Sequence, residues 1–196
     1  DRVCAYAELE ALFSLDMPEK TAVCILADKE EIGSVGISGM QSHYFEHFME
    51  GLCDAQGVKL SDCFANSFCL SADVSNAFDP NWPETCDKRN NSQLNYGVAI
   101  CKYTGSRGKG GASDASAEAM GHVRSTLDKA GVIWQIATLG KVDQGGGGTV
   151  AAYMANRNIV TVDAGVPVLS MHAPLELVSK LDCYETMLAC KAIYLA

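Results

Sequence analysis

The chain has 196 residues, a formal net charge of -9, and 15 Lys plus Arg against 24 Asp plus Glu. With no basic cluster, nucleic acid is excluded as a partner, because neutralising a phosphate backbone needs clustered Lys and Arg. A hydrophobic content of 48% with 20% charged residues describes a cored globular chain rather than a disordered one, and no apolar run reaches the length of a membrane span.

In chain order, Asp1-Arg2-Val3-Cys4-Ala5-Tyr6 runs straight into a helical pattern, without an initiator Met or signal peptide. That start predicts a longer parent chain upstream. Ala, Glu and Leu, with apolar Val3, Tyr6, Leu9, Leu12 and Phe13, predict a helix over Val3 to Phe13. After the turn Met17 to Lys20, the β-branched run Thr21 to Ala27 predicts a buried strand. It ends in the acidic pair Glu30-Glu31, and Gly33, Gly36 and Gly39 punctuate the loop that follows. Gly39 to Ala55 reads as a helix with Phe45, Phe48, Met49 and Leu52 on one face, and Ser67 to Ala72 as a short strand before Asp73. Val74 to Asn95 is a long polar loop, a kind of segment that often carries function.

Val98 to Tyr103 is another apolar strand. Ser113 or Asp114 is expected to cap a helix reaching Ala130. Ile133 to Leu139 reads as a strand, Gly145 to Gly148 as a glycine run leading through Thr149 into a short helix at Val150 to Asn156, and Ile159 to Asp163 as a strand. Val166 to Met171 continues extended to His172-Ala173-Pro174. Pro174 suits a first helical position. The last helix is expected to run to Tyr194 with Leu177, Val178, Leu181, Tyr184 and Leu188 inward. Alternating strands and helices predict a single α/β domain over residues 1–196, a layered sheet with helices on both faces. The nine cysteines contain no Cys-x-x-Cys pair and lie in apolar runs, which predicts free thiols and a cytoplasmic protein.

Sites in open α/β sheets gather beyond the carboxyl ends of strands. Glu30-Glu31, Asp73 and His172 each follow an apolar run directly. Adjacent carboxylates repel unless something cationic holds them. A metal ion is the simplest holder, with one carboxylate as ligand and the other as base for water. Glu, Asp and His supply the oxygen and nitrogen donors of a catalytic zinc-type site. His43, His47 and His122 fall on helical patterns and read as surface or packing residues. The glycine run either lets backbone approach a substrate or cradles phosphate at a helix start. The absence of a following Gly-Lys-Ser/Thr argues against the second.

Four motifs occur in the order of a known family: Asp28 to Ser34, Ser71 to Ala77, Gly145 to Thr149, and Val166 to Pro174. By these the chain resembles the catalytic domain of the aspartyl and vacuolar aminopeptidases, dinuclear zinc exopeptidases. The resemblance implies a metallo-aminopeptidase with two divalent metal ions, Zn2+ or alternatively Co2+ or Mn2+. It implies Glu30 as general base, Glu31, Asp73 and His172 as metal ligands, and Asp1 as a ligand or its neighbour. It further implies Lys102, Gly147, Gly148 and Thr149 near a peptide substrate, and assembly into a tetrahedral homo-dodecamer. The family's upstream His ligand and its lid and dimerisation domain have no counterpart in these residues. Asn76 and Asp79 stand where aspartyl-type relatives often carry His, which departs from strict acidic specificity. The alternative expectation is a folded, non-catalytic piece that serves assembly.

Overall fold

A computed structural model describes all residues, 1–196. Helix α1 (Arg2–Phe13) is followed by a 3-10 turn at Glu30–Ile32, then α2 (Tyr44–Gln56), α3 (Leu60–Ala65), β1 (Phe68–Ala72) and β2 (Ser75–Asn76). Next come β3 (Val98–Cys101), α4 (Ala117–Ala130), β4 (Trp134–Ile136), α5 (Ala151–Ala155), β5 (Val160–Gly165), β6 (Pro167–Leu169), β7 (Leu177–Val178) and α6 (Lys180–Tyr194). The main sheet has the order β1-β5-β3-β4, and a smaller one the order β2-β6-β7. Strand β5 is parallel to β1 and antiparallel to β3.

Strand alternation divides the core. Val98 and Ile100 of β3, with Val162 and Ala164 of β5, face α4 and α6 in the main cluster with Val123 and Leu127. Each such fully buried aliphatic side chain contributes about 1.5–3 kcal/mol. On the other side, Met40, Phe45, Met49, Phe64, Met154 and Ile159 join α2, α3 and α5. Helices therefore cover both faces, as the sequence predicts for an α/β layered fold.

The pair β1 and β5 leaves the main sheet together. Beyond Ala72 and Ala164 the ladder continues as β2 beside β6, with Ser75 N–H donating to Val166 O at 2.9 Å. Asp73 lies at this break, and its N–H donates to Ala164 O at 3.1 Å. The fold thus places Asp73 where two strands change sheets.

Several expectations are corrected. Thr21 to Ala27 is not a strand. Val23 and Ile25 pack against the α2–α3–α5 cluster, which explains the alternation, but the segment joins no sheet. Apolar patterning fixes an extended shape, whereas a ladder also needs a neighbour at hydrogen-bonding distance. The second helix begins at Tyr44, and Phe48 is exposed. On α1 the inward residues are small, Cys4, Ala7 and Ala11, while Tyr6 and Phe13 face out. Ser116, not Ser113 or Asp114, caps α4, its hydroxyl accepting from Ala119 N–H at 3.1 Å. Pro174 lies in a turn, and α6 starts at Lys180 behind the Ser179 cap. All nine cysteines are free.

Helix α6 departs in part from the expected face, since Leu188 packs against the main core but its first turns do not follow the pattern. Leu177, Leu181 and Tyr184 are exposed, while Asp182, Glu185 and Thr186 are buried. The reason is hydrogen bonding. Asp182 Oδ2 and Oδ1 accept from Asn95 and Gly97 N–H, each at 2.8 Å, and Glu185 Oε2 accepts from Ile133 N–H at 2.8 Å. Asp182→Ala would strand two backbone donors. It is expected to cost about 2–3 kcal/mol in urea unfolding, and an unchanged midpoint would contradict this account.

Glu8 on α1 supplies a pH-dependent term. Burial pushes its carboxyl from 4.5 up to about 7, opposed by the Ala72 backbone and reinforced by repulsion from Asp73. The folded chain therefore keeps a proton that the unfolded chain releases, and Glu8 costs stability progressively as pH rises from 4.5 to about 7. Glu8→Gln is expected to stabilise the chain at about pH 8 and to make no difference at about pH 4. Parallel denaturation curves at both pH values check it.

Candidate active site

The acidic pair is presented by a loop that braces itself. Lys29 and Ser34 adopt left-handed backbone (φ 62° and 57°), and Ser34 N–H donates to Lys29 O at 2.7 Å across the Glu30–Ile32 turn. Gln41 Nε2 donates to Gly33 O at 2.7 Å, and Ser38 Oγ donates to Asp28 Oδ2 at 2.8 Å. These contacts hold Glu30 and Glu31 without a flanking strand.

His172 arrives from the loop after β6. Its backbone is left-handed at φ 68°, an uncommon state for a non-glycine residue and one that clusters at functional sites. Its N–H donates to Glu176 Oε1 at 2.6 Å, which fixes the loop. Its Nδ1 lies 3.7 Å from Glu31 Oε1, with both side chains largely exposed. Such a surface pair adds little stability.

Three segments remote in sequence meet here. Burial raises the Glu30 carboxyl above its ordinary value, and repulsion from Asp73 and Glu31 adds to this while His172 opposes it. Burial likewise raises Asp73, opposed by the hydrogen bond it accepts from Val74 N–H and by His172, and reinforced by Glu31. Glu30, Glu31, Asp73 and His172 therefore lie within electrostatic reach of one another. Glu31 and His172 are neighbours, Glu30 and Asp73 feel both of them, and the oxygen and nitrogen donors of these four are of the kinds zinc takes. No three His, Cys, Asp or Glu side chains close tightly on one point.

Asp1 stands at the start of α1. Its carboxylate caps α1, accepting from Cys4 N–H at 3.3 Å. An N-cap oxygen satisfies helix donors that have no partner within the helix. Lys102 is half-exposed and pairs at 2.5 Å with Asp114, which also binds Lys109 at 2.8 Å. Asp114 is thus a bridge between two lysines. The glycine run packs against residues 105–111. Gly105 N–H donates to Gly147 O at 2.6 Å, and a Cβ at Gly146 would lie 2.2 Å from Gly105 O. Gly147 has open space where a side chain would stand, and Gly148 approaches Gly111 O. Thr149 is buried, and its hydroxyl donates to Asp163 Oδ1 at 2.7 Å.

Asp163 is the residue that sequence reasoning missed. Burial pushes its carboxyl up to about 6 against the Thr149 hydrogen bond, and it lines one small cavity with Asp73. The available signal was a carboxylate inside the otherwise apolar run Val160-Thr161-Val162-Asp163-Ala164, since a buried charge in a strand demands a partner.

The chain is similar to known proteins over nearly its whole length. A family model described as aminopeptidase I zinc metalloprotease (M18) matches residues 1–194. A probable M18 family aminopeptidase 1 of Clostridium acetobutylicum is 50% identical over 190 residues, which cover 95% of this chain and 41% of that protein. The crystal structure of an M18 family aminopeptidase from Thermotoga maritima superposes with a TM-score of 0.95 at 44% identity, covering 99% of this chain and 44% of that one. Aminopeptidase I from C. acetobutylicum superposes with a TM-score of 0.93 at 47% identity, covering 100% of this chain and 42% of that one. The chain spans about two fifths of the length of the curated relatives it matches. Over the residues it has, the chain belongs to the M18 family of zinc metalloproteases.

Proposed function

We propose that these residues form part of the catalytic domain of a metallo-aminopeptidase that removes N-terminal residues from peptides. The observation that carries this reading is the meeting of Glu30, Glu31, Asp73 and His172 from three separate loops. Glu31, Asp73 and His172 would hold metal, two divalent ions in the intact enzyme, with Zn2+ as the native choice and Co2+ or Mn2+ as substitutes. When bound, the metal supplies a Lewis acid for the scissile carbonyl and for water. Glu30, beside these ligands and partly withdrawn from solvent, takes the proton of the attacking water and delivers it to the leaving amine. The open side of Gly147 leaves room for substrate backbone, with Gly148 and Thr149 setting the position of that loop. Lys102, turned toward Asp114, would reach substrate only by exchanging that partner.

Nine free thiols support a reducing, cytoplasmic setting, and no helix is long and apolar enough to cross a membrane. Exposed Ile37, Tyr44 and Phe48 support self-assembly, for which the family resemblance suggests a dodecamer. A second reading has an observation of its own. The Asp1 carboxylate is engaged as a helix cap and no three ligands close on one point, which favours a non-catalytic assembly scaffold. Metal analysis and hydrolysis of aminoacyl-nitroanilides separate the two. Two ions per chain with turnover support the enzyme, whereas one ion or none without turnover supports the scaffold.

A further inference from the structure

Arg157 is a charged group that the chemistry of the site does not use, and it is largely buried, its side chain 14% exposed. It lies just beyond α5, and all three of its guanidinium nitrogens are engaged. Nε donates to Glu46 Oε1 on α2 at 2.7 Å, Nη1 to Tyr153 O on α5 at 2.8 Å, and Nη2 to Ser42 O at 3.4 Å. Charge-assisted bonds from a planar fork are strong and fix direction as well as distance. Arg157 therefore fastens α5 to the entrance of α2.

Gln41 precedes this fastened point and reaches the other way. Its N–H donates to Ser34 O at 3.0 Å, and its Nε2 donates to Gly33 O at 2.7 Å and to Tyr153 Oη at 3.3 Å. Gly33 and Ser34 directly follow the Glu30–Ile32 turn, and carbonyls at the end of a helical turn have no partner within it. Gln41 supplies donors for both. Ser34 itself is buried, and a Cβ at Gly39 would collide with its carbonyl, so the loop is folded tightly onto the segment that leads to Gln41. A continuous series of bonds thus runs from α5 through Arg157, Ser42 and Gln41 to the turn that carries Glu30. Helix α5 also follows the glycine run and Thr149, so both sides of the cleft are referred to one short helix. A group that must meet a reacting atom gains from such fixing, because a small misplacement costs rate.

We propose that Gln41, held by Arg157 and Tyr153, is a positioning residue for Glu30, an assignment that rests on Glu30 being the proton acceptor. It acts through the carbonyls of Gly33 and Ser34 rather than by touching substrate. Glu31 is held in addition by the ion it ligates, so the loss of Gln41 falls on Glu30. The test uses the full-length protein with Gln41→Met, which keeps the length of the side chain and removes its donors. Gln41 is exposed, so the change disturbs no core packing. The kcat is expected to fall about tenfold, while KM, bound zinc and the thermal midpoint stay as in the wild type. Without any substrate, trypsin should cut after the exposed Lys29 about fivefold faster, the change in open population that loss of one hydrogen bond gives. Gln41→Lys, which returns a donor of similar reach, should recover most of the kcat and of the resistance to trypsin. A Gln41→Met enzyme with wild-type kcat overturns the proposal. So does a loss of kcat that comes with a lower midpoint and is not rescued by lysine, since that is a general structural fault. A wild-type enzyme that binds zinc and hydrolyses no aminoacyl-nitroanilide sinks the reading of Glu30 and the proposal with it, and is told apart because the parent itself is inactive.

Discussion

Glu30→Gln is expected to lower turnover about a hundred- to ten-thousand-fold and to leave bound metal almost unchanged. Glu31→Gln is expected to lose metal first and activity as a consequence. The division follows from placement. Glu30 is the more withdrawn of the two and feels Asp73 and Glu31 as repelling neighbours. Glu31 projects toward His172 at 3.7 Å, where a shared ion would replace a weak surface pair. Gln keeps the shape and removes the charge, so a proton acceptor fails outright while a ligand set missing one outer member does not. Metal content and aminoacyl-nitroanilide hydrolysis, measured on the same preparations, decide the matter. Equal loss of metal in both variants would show that the roles are divided wrongly.

Gly165→Ala is expected to be the most damaging single methyl in the chain, costing about 4 kcal/mol or more, a size that marks a specific structural fault. A Cβ at this position would stand 1.6 Å from the Asp73 carbonyl oxygen. The space cannot be made by rotating a side chain, because the obstacle is backbone. The strand pair would have to separate where it passes from one sheet to the other, and Asp73 would move with it. Urea unfolding should therefore show a large loss, and metal uptake should fall in whatever fraction stays folded. An alanine variant as stable as its parent would remove this explanation for the position of Asp73.

How far the sequence could be read follows a physical line. Continuous apolar runs such as Val98 to Cys101 and Phe68 to Ala72 are strands buried among helices, and composition alone exposes them. The acidic pair, Asp73 and His172 were conspicuous because chemically active residues directly follow such runs. What stayed hidden depends on partners distant in the chain. The first turns of α6 bury carboxylates because these serve backbone N–H groups at residues 95, 97 and 133, and no local pattern reveals that. Thr21 to Ala27 has the alternation of a strand, but pairing is a property of two segments. Asp163 was overlooked because its meaning comes from hydroxyls at 71, 113 and 149.

The two carboxylates on α6 also set the order in which the molecule can loosen. They anchor the entrances to β3 and β4, and the catalytic candidates lie in other loops. If α6 were to peel away, the amides of Gly97 and Ile133 would open to solvent first, so their hydrogen exchange is a local gauge of how firmly the C-terminal helix is seated. Ligands added at the acidic cleft should slow that exchange only by stabilising the whole molecule, never by direct contact.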